Sequence, residues 1–97
     1  MDFQDYQTLK FEREGRLLRV IISSGPMNAV NEKLHEELAT VFEDVQRDPD
    51  SDVIVLTGEG RAFCAGGDMT WFQEMIDDPA RFQAIAHDAK RIVFSLL

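Results

Sequence analysis

The sequence predicts an α/β fold, and three observations carry that reading. Two short apolar segments flank Glu14-Gly15, a helical stripe runs from Leu34 to Val45, and a continuous apolar run, "VIVL", follows an Asp-Pro stop. At 97 residues the chain is at most one modest domain.

The first segment, "YQTLKFERE", alternates Leu9 and Phe11 with Lys10 and Glu12, as a strand with one wet face does. Gly15 can take the positive φ of a tight hairpin into "RLLRVII". There Leu18, Val20 and Ile22 share a face, but Leu17 and Ile21 are also apolar, so this strand is expected to be covered on both sides. "SSGPMNA" breaks the pattern at Gly25-Pro26. Asn31 then caps a helix whose stripe is Leu34, Leu38, Val41, Phe42 and Val45. Glu43 and Arg47 stand four apart as a favourable pair, and Asp48-Pro49 ends the helix.

"VIVL" (53–56) reads as a strand buried on both faces. Beyond the glycine-rich stretch "TGEGRAFCAGGDM", Asp68 caps a short helix carrying Trp71, Phe72, Met75 and Ile76. Asp78-Pro79 opens a further helix in cap-then-proline order, with a stripe of Phe82, Ile85, Ala86, Ala89, Val93 and Leu96. The chain closes on the apolar "RIVFSLL". So few strands and so apolar a last helix leave faces uncovered, which suggests the front part of something longer, or one piece of an assembly.

Eighteen acids against ten Lys plus Arg give a net charge of −8, which disfavours nucleic acid or an anionic membrane as partner. No apolar run approaches the roughly 20 residues of a membrane span. A single cysteine, Cys64, makes no intramolecular disulfide, and "MDFQDYQTLK" lacks a signal pattern, so a cytoplasmic location is the expectation.

The glycine loop admits several chemistries, and most fail at named residues. Gly60 and Gly66 have five residues between them with no following Lys-Ser or Lys-Thr, so a phosphate-binding P-loop is excluded. A dinucleotide fingerprint beginning at Gly58 and Gly60 would meet Phe63 at its third glycine. "DPDSD" with Glu59 imitates a calcium loop, but Val53 takes the place of the obligatory glycine, and a solvated helix-to-strand turn is the better reading. Cys64 has no histidine near it in sequence, and His35 and His87 have no metal partner at ligand spacing, so no metal site is expected. His35 reads as packing and His87 as solvated. What remains is an oxyanion donor: Gly66-Gly67 before a helix start exposes backbone N–H groups beside partial positive charge. A plain flexible loop is the competing reading.

"SGPMNAVNEKLHEEL" followed by "DVIVLTGEGRAFCAGGDM" resembles the N-terminal part of the crotonase superfamily, the enoyl-CoA hydratases and isomerases. The resemblance covers nearly the whole chain and is most specific at "GEGRAFCAGGDM". It implies residues 1–97 of a spiral of strand–strand–helix units, an acyl-CoA thioester as partner, no cofactor besides the coenzyme A of the substrate, and a homotrimer or hexamer. It makes Gly67 one of two N–H donors to an enolate oxygen. Backbone around Asn28, Ala29 and Ala65, with Gly66 and Asp68 beside them, would receive the coenzyme. The helix after Asp68 would line the acyl channel, with Trp71, Phe72 and Met75 as candidates; for each alone, core packing is the simpler account.

Two departures follow. Neither Gly25 nor Thr70 is the lysine some hydratases direct at coenzyme A phosphates, and Arg61 is the nearest substitute. The second oxyanion donor and the acid/base glutamates of the family lie past Leu97, and Glu59 and Glu74 do not match them. The 97 residues alone are therefore expected to be inactive. Isomerase, hydrolase, decarboxylase and dehalogenase relatives share this first half, and a non-catalytic acyl-CoA-binding or assembly subunit is the alternative. Gly67→Ala is expected to be tolerated if Gly67 is not at positive φ.

Overall fold

A computed structural model of the chain describes residues 3 and 5–96. Met1, Asp2, Gln4 and Leu97 lie outside the described residues, and with them the extreme ends of the two terminal readings. Strands β1 (Leu9–Glu14) and β2 (Leu17–Ile22) form an antiparallel hairpin, turned at Gly15 with φ 60°. A short 3-10 turn (Pro26–Asn28) and helix α1 (Glu32–Gln46) then lead to β3 (Val53–Gly58), which pairs with β2 in parallel. The sheet order is β1-β2-β3. Helices α2 (Met69–Asp77) and α3 (Pro79–Leu96) follow. Among the described residues no helix is long and apolar enough to cross a membrane.

The caps fall where the sequence puts them. Asn31 Oδ1 accepts from the Leu34 N–H at 2.9 Å, Asp68 Oδ1 from Thr70 N–H at 2.8 Å, and Asp78 Oδ1 from Arg81 N–H at 3.3 Å. The core is one sheet face, Leu9, Leu18, Val20 and Ile22, against Leu34, Val41, Phe42 and Val45 of α1. Ahead of β1, the buried Glu37 carboxylate accepts the Gln7 and Thr8 N–H groups at 2.8 and 2.7 Å, fixing the chain's entry to α1.

Four local expectations are corrected. β3 is not buried on both faces: Val53, Ile54 and Val55 are exposed, because β3 is the sheet's edge and its register turns Val53 and Val55 away from the α1 side. In β2, Leu18, Val20 and Ile22 are buried while Leu17 and Ile21 are only half covered. Glu43 does not pair with Arg47; it takes the Arg91 guanidinium of α3 at 2.8 and 3.3 Å, and Arg47 turns to Asp44. The stripe assigned to α3 mostly faces outward, with Phe82, Val93 and Leu96 exposed. The face of α3 turned to α1 instead carries Arg81, Ile85, Ile92 and Ser95, because two charged pairs set its orientation.

"DPDSD" is not a freely solvated turn either. Asp48 is buried and receives Arg13 Nη2 at 2.6 Å, the Ser51 hydroxyl at 2.5 Å and the Asp50 N–H at 3.1 Å. Those hydrogen bonds, Ser51 and Arg13 foremost, hold its carboxyl well below the usual range.

Candidate active site

The loop between β3 and α2 is held by a second segment, residues 24–30. Asn28 is the clasp. It is 2% exposed, its backbone sits in the left-handed region (φ 50°), and its amide donates to the Glu59 and Ala62 carbonyls at 3.1 and 2.8 Å. Its Oδ1 accepts from the Ser24 N–H at 3.2 Å. Asparagine suits both demands, since it tolerates positive φ and carries a donor and an acceptor. Ala29 is held through its carbonyl by the Ser24 hydroxyl at 3.0 Å.

Beyond the clasp the two segments run in parallel. The Ala65 N–H donates to Met27 O at 2.9 Å, Val30 N–H to Gly66 O at 2.7 Å, and Asp68 N–H to Val30 O at 2.7 Å. Val30 and Gly67 thereby form a parallel bridge. In such a bridge the residue flanked by both bonds turns its own N–H and C=O away from the partner strand. The Gly67 N–H accordingly makes no hydrogen bond among the described residues. It lies two residues before α2, at the positive end of that helix. Gly66, one residue earlier, turns the chain at φ 97°.

Gly67 is not at positive φ, yet an alanine there requires the Phe72 ring to move. A Cβ on residue 67 would strike the ring of Phe72, meeting Cζ and coming within 2.7 and 2.8 Å of Cε2 and Cε1. Phe72 in turn stacks on Trp71 with ring centroids 5.9 Å apart, and Trp71 lies 5.3 Å from His35 of α1. Phe72 also lines an open apolar groove of about 500 Å³ with Met75, Ile76, Pro79 and Phe82. Trp71 does not line it. It is 6% exposed and backs the Phe72 ring from the α1 side.

The residues singled out in the sequence are thus partly gathered. Asn28, Ala29, Ala65, Gly66, Gly67 and Asp68 meet along the two parallel segments, while Trp71 stands one layer behind. Sequence reading missed Val30, whose only signal was a lone β-branched residue between the Pro-Met-Asn turn and the Asn31 cap.

The surrounding charges are committed. Arg81 grips Glu32 through two bonds, 2.5 and 2.9 Å, and reaches Glu74 at 2.9 Å, tying α1, α2 and α3 together. Arg81 is the main reason the Glu32 carboxyl is held low; the Trp71 N–H adds a smaller part without reaching hydrogen-bond geometry. Glu59 pairs with Lys10 at 3.0 Å. Arg61 is exposed and forms no ion pair among the described residues. In a separate acidic cleft beside Tyr6, two of the carboxylates are occupied: Glu37 holds backbone and Asp44 takes the Tyr6 hydroxyl. Burial first, then Asp44, pushes that hydroxyl up to about 12.

The enoyl-CoA hydratase/isomerase family model matches residues 12–95. Hydroxycinnamoyl-CoA hydratase-lyase of Pseudomonas fluorescens is 34% identical over 95 residues, covering 95% of this chain and 34% of that protein. The 1,2-epoxyphenylacetyl-CoA isomerase of Escherichia coli is 42% identical over 43 residues, 44% of this chain and 16% of the relative. A crystal structure of an enoyl-CoA hydratase/isomerase from Mycobacterium paratuberculosis superposes with a TM-score of 0.88 at 31% identity, over 94% of this chain and 37% of that one. The chain therefore spans about a third of the length of such relatives. It belongs to the enoyl-CoA hydratase/isomerase family and has the crotonase fold of that superfamily.

Proposed function

We propose that this chain supplies one donor of an oxyanion site for acyl-CoA thioesters, and that the donor is the N–H of Gly67. The observation that carries the reading is the bridge with Val30, which engages both neighbours of the Gly67 N–H and leaves that group free. Gly67 is half-buried, and a fixed N–H left without a protein partner there is a donor ready for a ligand acceptor. When a thioester is deprotonated or attacked at its C2–C3 bond, negative charge collects on its carbonyl oxygen. A donor already held in place stabilises that charge without reorganising. The apolar groove from Phe72 to Phe82 suits the acyl chain. The carbonyl of Ala65 and the turn at Asn28-Ala29 suit the coenzyme end, and Arg61, exposed and without an ion pair among the described residues, is a cation for its phosphates. Hydration of an enoyl-CoA is the favoured reaction, in a homotrimer or hexamer.

The test is the carbonyl itself. A thioester labelled with ¹³C at the carbonyl should show its infrared stretch displaced to lower frequency on binding the full-length protein. An unshifted stretch with the ligand demonstrably bound would overturn the assignment.

A further inference from the structure

We infer that Phe72 is the positioning residue of this site and the reason position 67 is glycine. Three observations meet at its ring. The ring occupies the space a Cβ on residue 67 would need; it is backed by Trp71, itself set against His35 of α1; and its exposed face forms a wall of the apolar groove. Glycine at 67 is usually explained by backbone freedom, but its φ does not require that here, since the positive φ belongs to Gly66. The requirement is steric and comes from four residues inside the next helix.

This packing has a consequence for the N–H. The peptide of Gly67 is tied to Val30 on one side only, through its neighbours. On the other, the Phe72 ring fills the space beside the α-carbon where a Cβ would stand, so a tilt of the peptide toward the groove must displace a ring stacked on Trp71. A ligand entering the groove touches the same ring that seats the donor, which couples acyl binding to the aim of the Gly67 N–H.

The functional consequence rests on the oxyanion reading above; the steric coupling does not, and the experiment separates them. In the full-length protein, Gly67→Ala, Phe72→Leu and the double substitution are compared. Leucine lacks the Cε and Cζ atoms that oppose the new Cβ, while remaining apolar. Gly67→Ala alone should lower kcat by about a hundredfold, the scale of a misplacement near 1 Å, with KM little changed. The double substitution should recover at least about tenfold of that loss. A double variant no better than Gly67→Ala would overturn the inference, since the methyl would then obstruct the ligand directly. The second readout needs no turnover: Trp71 emission, taken as the difference from a Trp71→Phe reference. Gly67→Ala should shift it by displacing Phe72, and in the Phe72→Leu background should not. If the unsubstituted protein turns over no enoyl-CoA, the oxyanion reading falls and this emission pattern still decides the coupling; an unmoved emission in Gly67→Ala would sink it.

Discussion

Val30 and Gly67 share a bridge in which Val30 spends both of its backbone groups and Gly67 spends neither. The asymmetry is a property of parallel pairing, and it turns a structural contact into a presented donor. Residue 30 anchors the loop, and residue 67 is what the anchoring exposes.

Removal of that donor by proline is informative only in the right background. Gly67→Pro deletes the N–H but also adds a Cβ, which meets Phe72 as alanine does. In a Phe72→Leu protein the ring atoms that oppose the Cβ are gone for both variants, and they differ chiefly in the N–H and the proline ring. There Gly67→Pro should turn over at least about a hundredfold more slowly than Gly67→Ala, with thioester affinity similar, as for loss of one oxyanion donor. Equal turnover by two folded variants would remove the donor role.

Asn28 should be the most costly single residue of the loop to truncate. Asn28→Ala strands the Ser24 N–H and the Glu59 and Ala62 carbonyls, and leaves a Cβ residue without the polar compensation that favours φ 50°. Three lost hydrogen bonds to partly buried groups and the left-handed penalty together suggest a loss of roughly 2–4 kcal/mol. Urea titration of the full-length protein would show it as a lower midpoint. A shift worth under about 1 kcal/mol, the scale of one ordinary hydrogen bond, would mean the clasp is dispensable.

What was legible in the sequence was local. The caps at Asn31, Asp68 and Asp78, the hairpin at Gly15 and the α1 stripe all depend on residues within four positions of each other. The donor glycine was legible only through its resemblance to a family motif. What failed to show depends on distant partners. Glu43 finds Arg91 across 48 positions, a partner no i,i+4 rule proposes. The outward stripe of α3 follows from that pair and from Arg81 with Glu32, since a helix turned by two guanidinium grips presents its other face to solvent. The steric need for glycine at 67 sits in a side chain five residues on, invisible until the helix is placed.

Those two grips lead to a prediction for α3. Replacement of Arg81 and Arg91 together by methionine keeps the aliphatic stems and removes the pairs with Glu32, Glu74 and Glu43. Amide protons of α3 should then exchange faster, while those of α1, whose core contacts are untouched, keep their protection. The difference from the unsubstituted protein should narrow as salt is raised, because the pairs are half exposed and screened. Unchanged exchange in α3 at low salt would mean Ile85 and Ile92 suffice to dock it.

Stability should also fall in two separate steps on acidification. Burial lowers the pKa of His35, outweighing Asp88 and Glu36, which act in the opposite direction. Its Nδ1 is buried without a partner and its ring packs on Trp71, so the folded protein favours the neutral form. The unfolded chain, with an ordinary histidine near 6.5, then binds more protons than the folded one, and stability rises with pH across that interval. The contribution is present above about 6.5 and is lost as pH falls toward the folded value. The carboxyls of Asp48, Glu32 and Glu43 are depressed by their Ser and Arg partners, so their contribution is present above about 4 and is lost only below it. Urea midpoints measured from pH 8 to pH 3 should therefore show a first decline through the histidine range and a second below pH 4. His35→Phe should abolish the first and keep the second. A first decline that survives His35→Phe would assign it to another group and leave His35 as packing without a titrating role.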